Sequence, residues 1–505
     1  MKDIDITEVQ RREGRGRCLI ARQALNLGNL ILGAQPVSAV LEEAQARAYC
    51  AGCFGSIGDK HGGKGSRCSG CKMMWYCSRS CQKADWTEHR PECKQWASQK
   101  SGRKPTRTLR LAGRILHSMN RSDTDGKSTR TREAVAELVD HNDDRTPEQR
   151  EEYKLMATFV AGMCVTGCGK GALSWPSADG RGFPGLVDAA FAIIGKISCN
   201  VFSIVVDVGG HVVGCGLYLE AATANHSCNP NASQSFDGRT LSLRCTRPIA
   251  VGEEVTIGIT EMHRPGEARR QALRTSYFFE CRCERCNSGG ACCEEARLEG
   301  YACLDQSCSG VCAKPRTAGA TEKETNSAGE REDGAENSGC LVCSVCASAW
   351  PAEEAVRKSK AVCELLGRGK ALVAGGKAPA GRECLEEALR RAVGCLYISN
   401  WMLAEVYSEL LSTCLELEDF DAAAEHALNG IHTHRACLAG LLPYFAPWAN
   451  HLALAGKLAL CVRRQPTQAM PLLEEALASL EVTYGERHPL YREVRDLLDQ
   501  ASLGG

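Results

Sequence analysis

The chain has 505 residues, 61 basic and 61 acidic side chains, and an apolar share of 44%. That length leaves room for two to four domains and a sizeable core. Balanced charge argues against a general attraction to nucleic acid or anionic lipid, and no stretch approaches the ~18–20 uninterrupted apolar residues of a membrane span.

The opening run MKDIDITEVQ is polar and acidic and has no apolar core of a signal peptide, so a soluble intracellular protein is expected. Cysteine is the outlier, at 31 residues. Reducing compartments keep thiols free, and such a count there points to thiolate–metal sites rather than disulfides. The first candidate element, GRGRCLIAR at 14–22, contains a G-x-G that by itself signals only a turn. Residues 50–93 then carry Cys50, Cys53, Cys68, Cys71, Cys77, Cys81, His89 and Cys93 in four close pairs. Eight N/S ligands suffice for two tetrahedral zinc ions. The segment is otherwise short of apolar residues, so metal binding would supply roughly 10 kcal/mol or more per ion towards its folding.

The finger is mildly basic, which admits weak nucleic-acid contact, but a solvated finger surface is the leading reading of those charges. Residues 94–114 add seven Lys or Arg and no acid. Within them TLRLAGRIL predicts a helix whose charges face water. Residues 132–200 read as mainly helical, with loops around HNDDRTPEQR and SWPSADGRGFPG.

ANHSCNPNA at 224–232 suits neither helix nor strand. It fits a nucleophilic Cys228 beside His226, a metal ligand, or a loop shaped around a small molecule. Downstream, YFFECRCERC places Cys281, Cys283 and Cys286 together without a fourth ligand nearby, and a tetrahedral zinc needs one more. Cys228 can complete that set, whereas a nucleophile would need a base oriented by a third group. Farther on, GYACLDQSCSG at 300–310 and CLVCSVC at 340–346 offer another four-cysteine possibility, with spare thiols as the rival reading because Cys292, Cys293, Cys312 and Cys340 lie nearby. Residues 314–339 have no aromatic residue and no Val, Ile, Leu or Met, which predicts a disordered insertion. From about 352 onward apolar residues recur every three and four positions, as on packed helices.

MMWYCSRSCQKADWTEHRPEC at 73–93 resembles the MYND zinc finger. The resemblance implies interleaved ligands: Cys50, Cys53, Cys77 and Cys81 for one ion, and Cys68, Cys71, His89 and Cys93 for the other. It also implies binding of proline-containing peptides. NHSCNPN at 225–231, RPIAVGEEVTI at 247–257 and the cluster at 281–286 are similar to a SET domain with its post-SET zinc site. A finger placed just after the opening glycine segment is the layout of the SET-and-MYND group of protein-lysine methyltransferases, nearest the plant-type members. SCNVFSI at 198–204 and RRQALRTSYFFECRCERC at 269–286 keep that group's order.

The resemblance implies an α+β fold, with a SET-type β fold interrupted by the finger and a C-terminal tetratricopeptide-like helical domain. The expected divisions are 1–49 and 94–263 for the SET domain, 50–93 for the finger, and 264–313 for the post-SET region. The insertion at 314–339 and a helical region at 340–505 complete them. The implied function is S-adenosylmethionine-dependent methylation of lysine on a histone or other protein, with zinc as resident metal and residence in nucleus and cytoplasm. Gly14, Arg15, Gly16, Asn200, Asn225, His226, Tyr277 and Phe279 take the cofactor-contacting positions, and Tyr277 also lines the lysine channel. One residue departs from the pattern. In GEEVTIGITEM at 252–262, Ile259 stands where the family has a Tyr whose hydroxyl orients the amine. A scaffold that has lost catalysis is therefore the second reading. A DNA-binding repressor is disfavoured by the balanced charge.

Overall fold

The computed structural model describes residues 6–58, 65–98, 105–119, 127–168, 182–206, 209–287, 293–313, 339–438, 444–463 and 465–503. The expected insertion at 314–339 lies, apart from its last residue, outside them, as do Cys292 and most of SWPSADGRGFPG. The architecture is α+β, with small sheets first and helices last.

Thr7–Arg12 and Gly16–Ala21 form an antiparallel hairpin. Its turn needs glycine: Gly14 and Gly16 have φ of +69° and +67°, a region that side chains disfavour. Two three-stranded sheets follow. One orders Ala232–Asp237, Thr240–Cys245 and Leu30–Ala34; the other orders Ser38–Leu41, Val212–Leu217 and Val201–Val205. A short parallel pair, Asn225–His226 with Thr256–Ile257, joins two segments distant in sequence.

The finger does not stand apart from these sheets. Phe54, Met74 and Tyr76 are buried in one apolar cluster with Leu19, Leu41, Phe236 and Leu243 of the strands. Burial thus complements metal binding in a segment whose composition suggests too little apolar surface. A second cluster packs the helices Arg107–Met119, Pro147–Cys168 and Gly182–Asn200 against Val40, Cys215 and Leu217.

Arg107–Met119 departs from expectation. Its apolar stripe, Leu111, Ala112, Ile115 and Leu116, is buried as the pattern requires, but so are Arg110 and Arg114. Those guanidinium groups face finger carboxylates instead of water. Arg114 pairs with Asp85 at 3.0 Å and with Glu92, Arg110 reaches Glu92 at 3.4 Å, and both donate to backbone carbonyls at Ala39 and Leu41. Asp85 is held further by the Tyr76 hydroxyl at 2.7 Å. The finger's acids at 85 and 92 are therefore part of a buried junction, not of a solvated surface. Glu92 is driven well below the usual carboxylate range: burial opposes its charge, but Arg114, Arg110 and His89 more than offset it.

A four-stranded ribbon, Tyr301–Ala302, Val311–Ala313, Cys340–Cys343 and Ala349–Pro351, pairs in chain order. Among the described residues it leads into seven helices, from Ala352–Ala374 to Pro489–Leu503, of which consecutive members pack on one another. They return to the strands, where the Ser235 hydroxyl donates to the Thr483 carbonyl at 2.9 Å and the Ala446 amide donates to the Ser233 hydroxyl at 3.2 Å. Among the described residues, no helix is long and apolar enough to cross a membrane.

Candidate metal centres and the loop they frame

The donor atoms expected to share ions do converge. Cys50, Cys53, Cys77 and Cys81 form one group, and Cys68, Cys71, His89 and Cys93 a second. Cys228, Cys281, Cys283 and Cys286 form a third, and within each group all donors lie within 4.8 Å of one another. Sulfur–sulfur separations of 3.8 Å for Cys53–Cys77, 3.7 Å for Cys68–Cys93 and 3.6 Å for Cys228–Cys286 match the ~3.8 Å edge of a tetrahedron with ~2.3 Å zinc–sulfur bonds. Spacing and donor type both fit zinc. The His89 ring is held in a ligating orientation. Its Nδ1 donates to Glu92 at 3.0 Å, leaving Nε2 facing Cys71 at 3.4 Å, the carboxylate–histidine arrangement that orients metal-bound imidazoles.

The third group decides how to read ANHSCNPNA. His226 Nδ1 accepts the Ile259 amide at 3.2 Å, and Nε2 lies 3.3 Å from the Cys228 sulfur. With Nδ1 an acceptor, a neutral imidazole carries its proton on Nε2 and donates it to sulfur. His226 therefore cannot act as the base that activates Cys228. Burial pushes its pKa down to about 4, which keeps the ring neutral. Arg269 Nε also donates to Cys228, at 3.3 Å, and Cys228 is fully buried. Such a sulfur is held by donors and closed to substrate, the setting of a metal ligand and not of a nucleophile.

Behind it stands a charge cluster for which the sequence carries no motif. Glu295 binds Arg269 at 2.9 Å, Arg285 and the Gly266 amide, while Arg285 also reaches the carbonyls of Met262 and Cys228.

The remaining predicted residues surround this centre. Asn225 Nδ2 donates to the Arg17 carbonyl at 3.0 Å and the Arg15 carbonyl at 3.3 Å, and to Glu254 at 2.8 Å. This lashes the glycine turn to the loop. Arg15 pairs with Glu254 at 3.0 Å. Ideal Cβ positions on Gly14 and Gly16 meet nothing within 4 Å, so the turn backbone faces open space. Asn231, not singled out by pattern, is buried and locks the neighbouring segment: its Oδ1 accepts the Thr256 amide and its Nδ2 reaches the Glu254 carbonyl, each at 2.8 Å.

Tyr277 ends the helix Gly266–Tyr277 and packs beside Ile259 in the cluster around Cys228 and Leu273. Phe278, the helix C-cap at φ +59°, turns the chain towards the cysteines and stacks on His141 at 5.1 Å. Phe279 tilts against the His226 ring at 6.2 Å with an exposed face. Asn200 Nδ2 donates to the carbonyls of Lys196 and Val139. Its neighbour Cys199 lies 3.8 Å from the Ser276 carbonyl, which brings this segment to the end of the Tyr277 helix.

Residues 50–93 match the MYND finger family model. The chain is 32% identical over 304 residues to the histone-lysine N-methyltransferase ASHR1 of Arabidopsis thaliana, covering 59% of this chain and 58% of that protein. It is 33% identical over 277 residues to the histone-lysine N-methyltransferase SMYD3 of Homo sapiens, covering 54% and 60%. With the N-lysine methyltransferase SMYD2-A of Danio rerio it is 25% identical over 509 residues, 98% of both chains. The matched stretch thus spans somewhat more than half of the first two relatives.

Proposed function

From a chain that belongs to the SET-and-MYND family, we propose a protein-lysine N-methyltransferase that uses S-adenosylmethionine. The observation that carries this reading is the convergence of the glycine turn, Asn225–His226 and Tyr277 on one zinc-framed loop. The residues present suit the cofactor: an open face beside Gly14 and Gly16 for close backbone approach, and an exposed Phe279 ring for a planar base. When bound there, the cofactor supplies an electrophilic methyl group on a sulfonium.

The protein's part is alignment. The lysine nitrogen must approach in line with its lone pair free, and holding that geometry supplies much of the acceleration. Burial raises the pKa of the Tyr277 phenol above its ordinary value, with the Cys199 thiol adding to the effect. Tyr277 thus stays a neutral hydroxyl at physiological pH and serves as a hydrogen-bonding group, not a base. Three zinc ions would hold the finger and the wall of the pocket, without taking part in the transfer. Proline-containing partners would dock on the finger; the substrate would be a histone or another protein.

Ile259 favours the alternative of a scaffold with impaired catalysis, because no hydroxyl stands at that position. Radiolabelled methyl transfer to histones and to a cell lysate separates the two. Labelled lysine, lost in Tyr277→Phe while cofactor binding persists, is the expected result. Cofactor binding without transfer to any acceptor would establish the scaffold instead.

A further inference from the structure

Cys303, Cys308, Cys343 and Cys346 lie on the ribbon beneath the C-terminal helices, away from the loop proposed to bind cofactor. Their sulfurs come within 4.8 Å of one another, with Cys303–Cys346 at 3.4 Å and Cys308–Cys343 at 3.6 Å. These separations are far from a ~2.05 Å disulfide and near a zinc tetrahedron edge.

The backbone supplies an independent argument. In the finger, Cys50-x-x-Cys53 is followed by Phe54 at φ +62°, whose amide donates to the Cys50 carbonyl at 2.7 Å. The Cys50 amide in turn donates to the Gly55 carbonyl at 2.9 Å. Cys68-x-x-Cys71 repeats the form, with Lys72 at φ +55° and its amide 3.0 Å from the Cys68 carbonyl. Cys343-x-x-Cys346 has the same turn. Ala347 sits at φ +59°, its amide is 3.2 Å from the Cys343 carbonyl, and the Cys343 amide donates to the Ser348 carbonyl at 2.9 Å. Neither Phe, Lys nor Ala favours that left-handed region, so one constraint shared by the three turns is the economical explanation.

Amides also aim at the sulfurs: Val345 N–H at Cys343, 3.5 Å, and Gly310 N–H at Cys308, 3.4 Å. Donors so placed stabilise thiolates, which are the form that binds metal. A Cβ on Gly310 would meet the Cys343 sulfur at 2.3 Å, so glycine there keeps the cluster clear. Of the rival thiols within the described residues, Cys312 and Cys340 fall outside the group.

We propose that these four cysteines bind a fourth zinc ion, a structural one that fixes the base of the C-terminal helical domain. The ribbon and the helices share one core, with Trp350 and Cys343 packed among Val362, Leu366, Leu385 and Leu403. The Ala302 amide, beside Cys303, donates to the Cys395 carbonyl at 2.9 Å. The ion would join strands from either side of residues 314–338 and so set how the helices leave the post-SET region.

The test needs no variant. Zinc per mole of purified, desalted full-length chain is expected to be four; three would overturn the proposal. Brief iodoacetamide treatment of the native protein, followed by peptide mapping, locates the fourth ion. Cys346 is exposed, as are Cys340, Cys363 and Cys461. The expected result is modification of the last three with Cys346 spared, and loss of that protection after zinc chelation. Cys346 reacting as fast as Cys340 would place any fourth ion elsewhere and defeat the assignment.

Discussion

Ile259 donates its amide to His226 and packs its side chain against the Cys228 cluster, as Tyr277 does. The position thus belongs to the wall of the proposed site, but it carries neither the ring nor the hydroxyl of the family's tyrosine. A positioned donor in such a site is worth about 2–4 kcal/mol of transition-state stabilisation. We expect Ile259→Tyr to raise kcat for methyl transfer by tenfold or more while cofactor Kd stays unchanged. Equal kcat in the two proteins would mean that residue 259 does not limit the chemistry. His226 makes a related point. The pair His-x-Cys reads from sequence as a candidate base and nucleophile, and the choice against it rests on which ring nitrogen accepts the Ile259 amide. That proton's place depends on a residue 33 positions away, beyond the reach of local pattern.

At the scale of elements, the junction between the finger helix Arg79–Ser98 and the helix Arg107–Met119 is a buried ion network. Removing Arg114 from it leaves Asp85 as an uncompensated charge and Glu92 with Arg110 and His89 alone, and breaking a buried pair in this way costs about 3–5 kcal/mol. Arg114→Ala should therefore lower the thermal midpoint by several degrees and weaken zinc retention, because Glu92 also orients His89. A midpoint within one degree of wild type would show the network to be dispensable. The two halves of this junction differ in legibility. Ligand spacing in residues 50–93 is local, and tetrahedral coordination restricts it, so both zinc sets follow from counting. The third set also follows, since three thiolates at 281–286 demand a fourth. The buried arginines do not. Positions 110 and 114 share a helix face, but whether that face meets water or acids 18 to 29 residues earlier is decided by tertiary packing. The Arg269–Arg285–Glu295 cluster is hidden for the same reason: Glu295 lies on the short helix Cys293–Arg297 with no recognisable spacing to its partners.

Across the whole molecule, the seam between the core and the C-terminal helices carries titratable groups. Glu405 receives Arg264 and His263 from the core and Lys370 from the first C-terminal helix. Burial opposes its charge, yet those partners hold its pKa at about 2. His263 lies 6.2 Å from His434, and His434 lies 4.6 Å from His451, which stacks on Trp448. Both residues are half-buried, and their nitrogens are engaged or covered: His434 Nδ1 donates to the Gly430 carbonyl at 2.8 Å, and His451 Nε2 is buried. Burial lowers the pKa of His434 to about 4 and of His451 to about 3, from an ordinary 6.5. A histidine depressed on folding stabilises the native state above pH 6.5, and that contribution is lost as pH falls towards the folded value. At about 1.4 kcal/mol per pH unit and site, discounted for their partial exposure, the two together should remove about 2–4 kcal/mol between pH 7 and pH 5. Urea unfolding at the two pH values, with bound zinc followed in parallel, measures the loss. His451→Phe keeps the stacking on Trp448 and cannot take a proton, so it should reduce the loss by about 1–2 kcal/mol. A variant that loses as much stability as wild type would show that the seam titrates elsewhere.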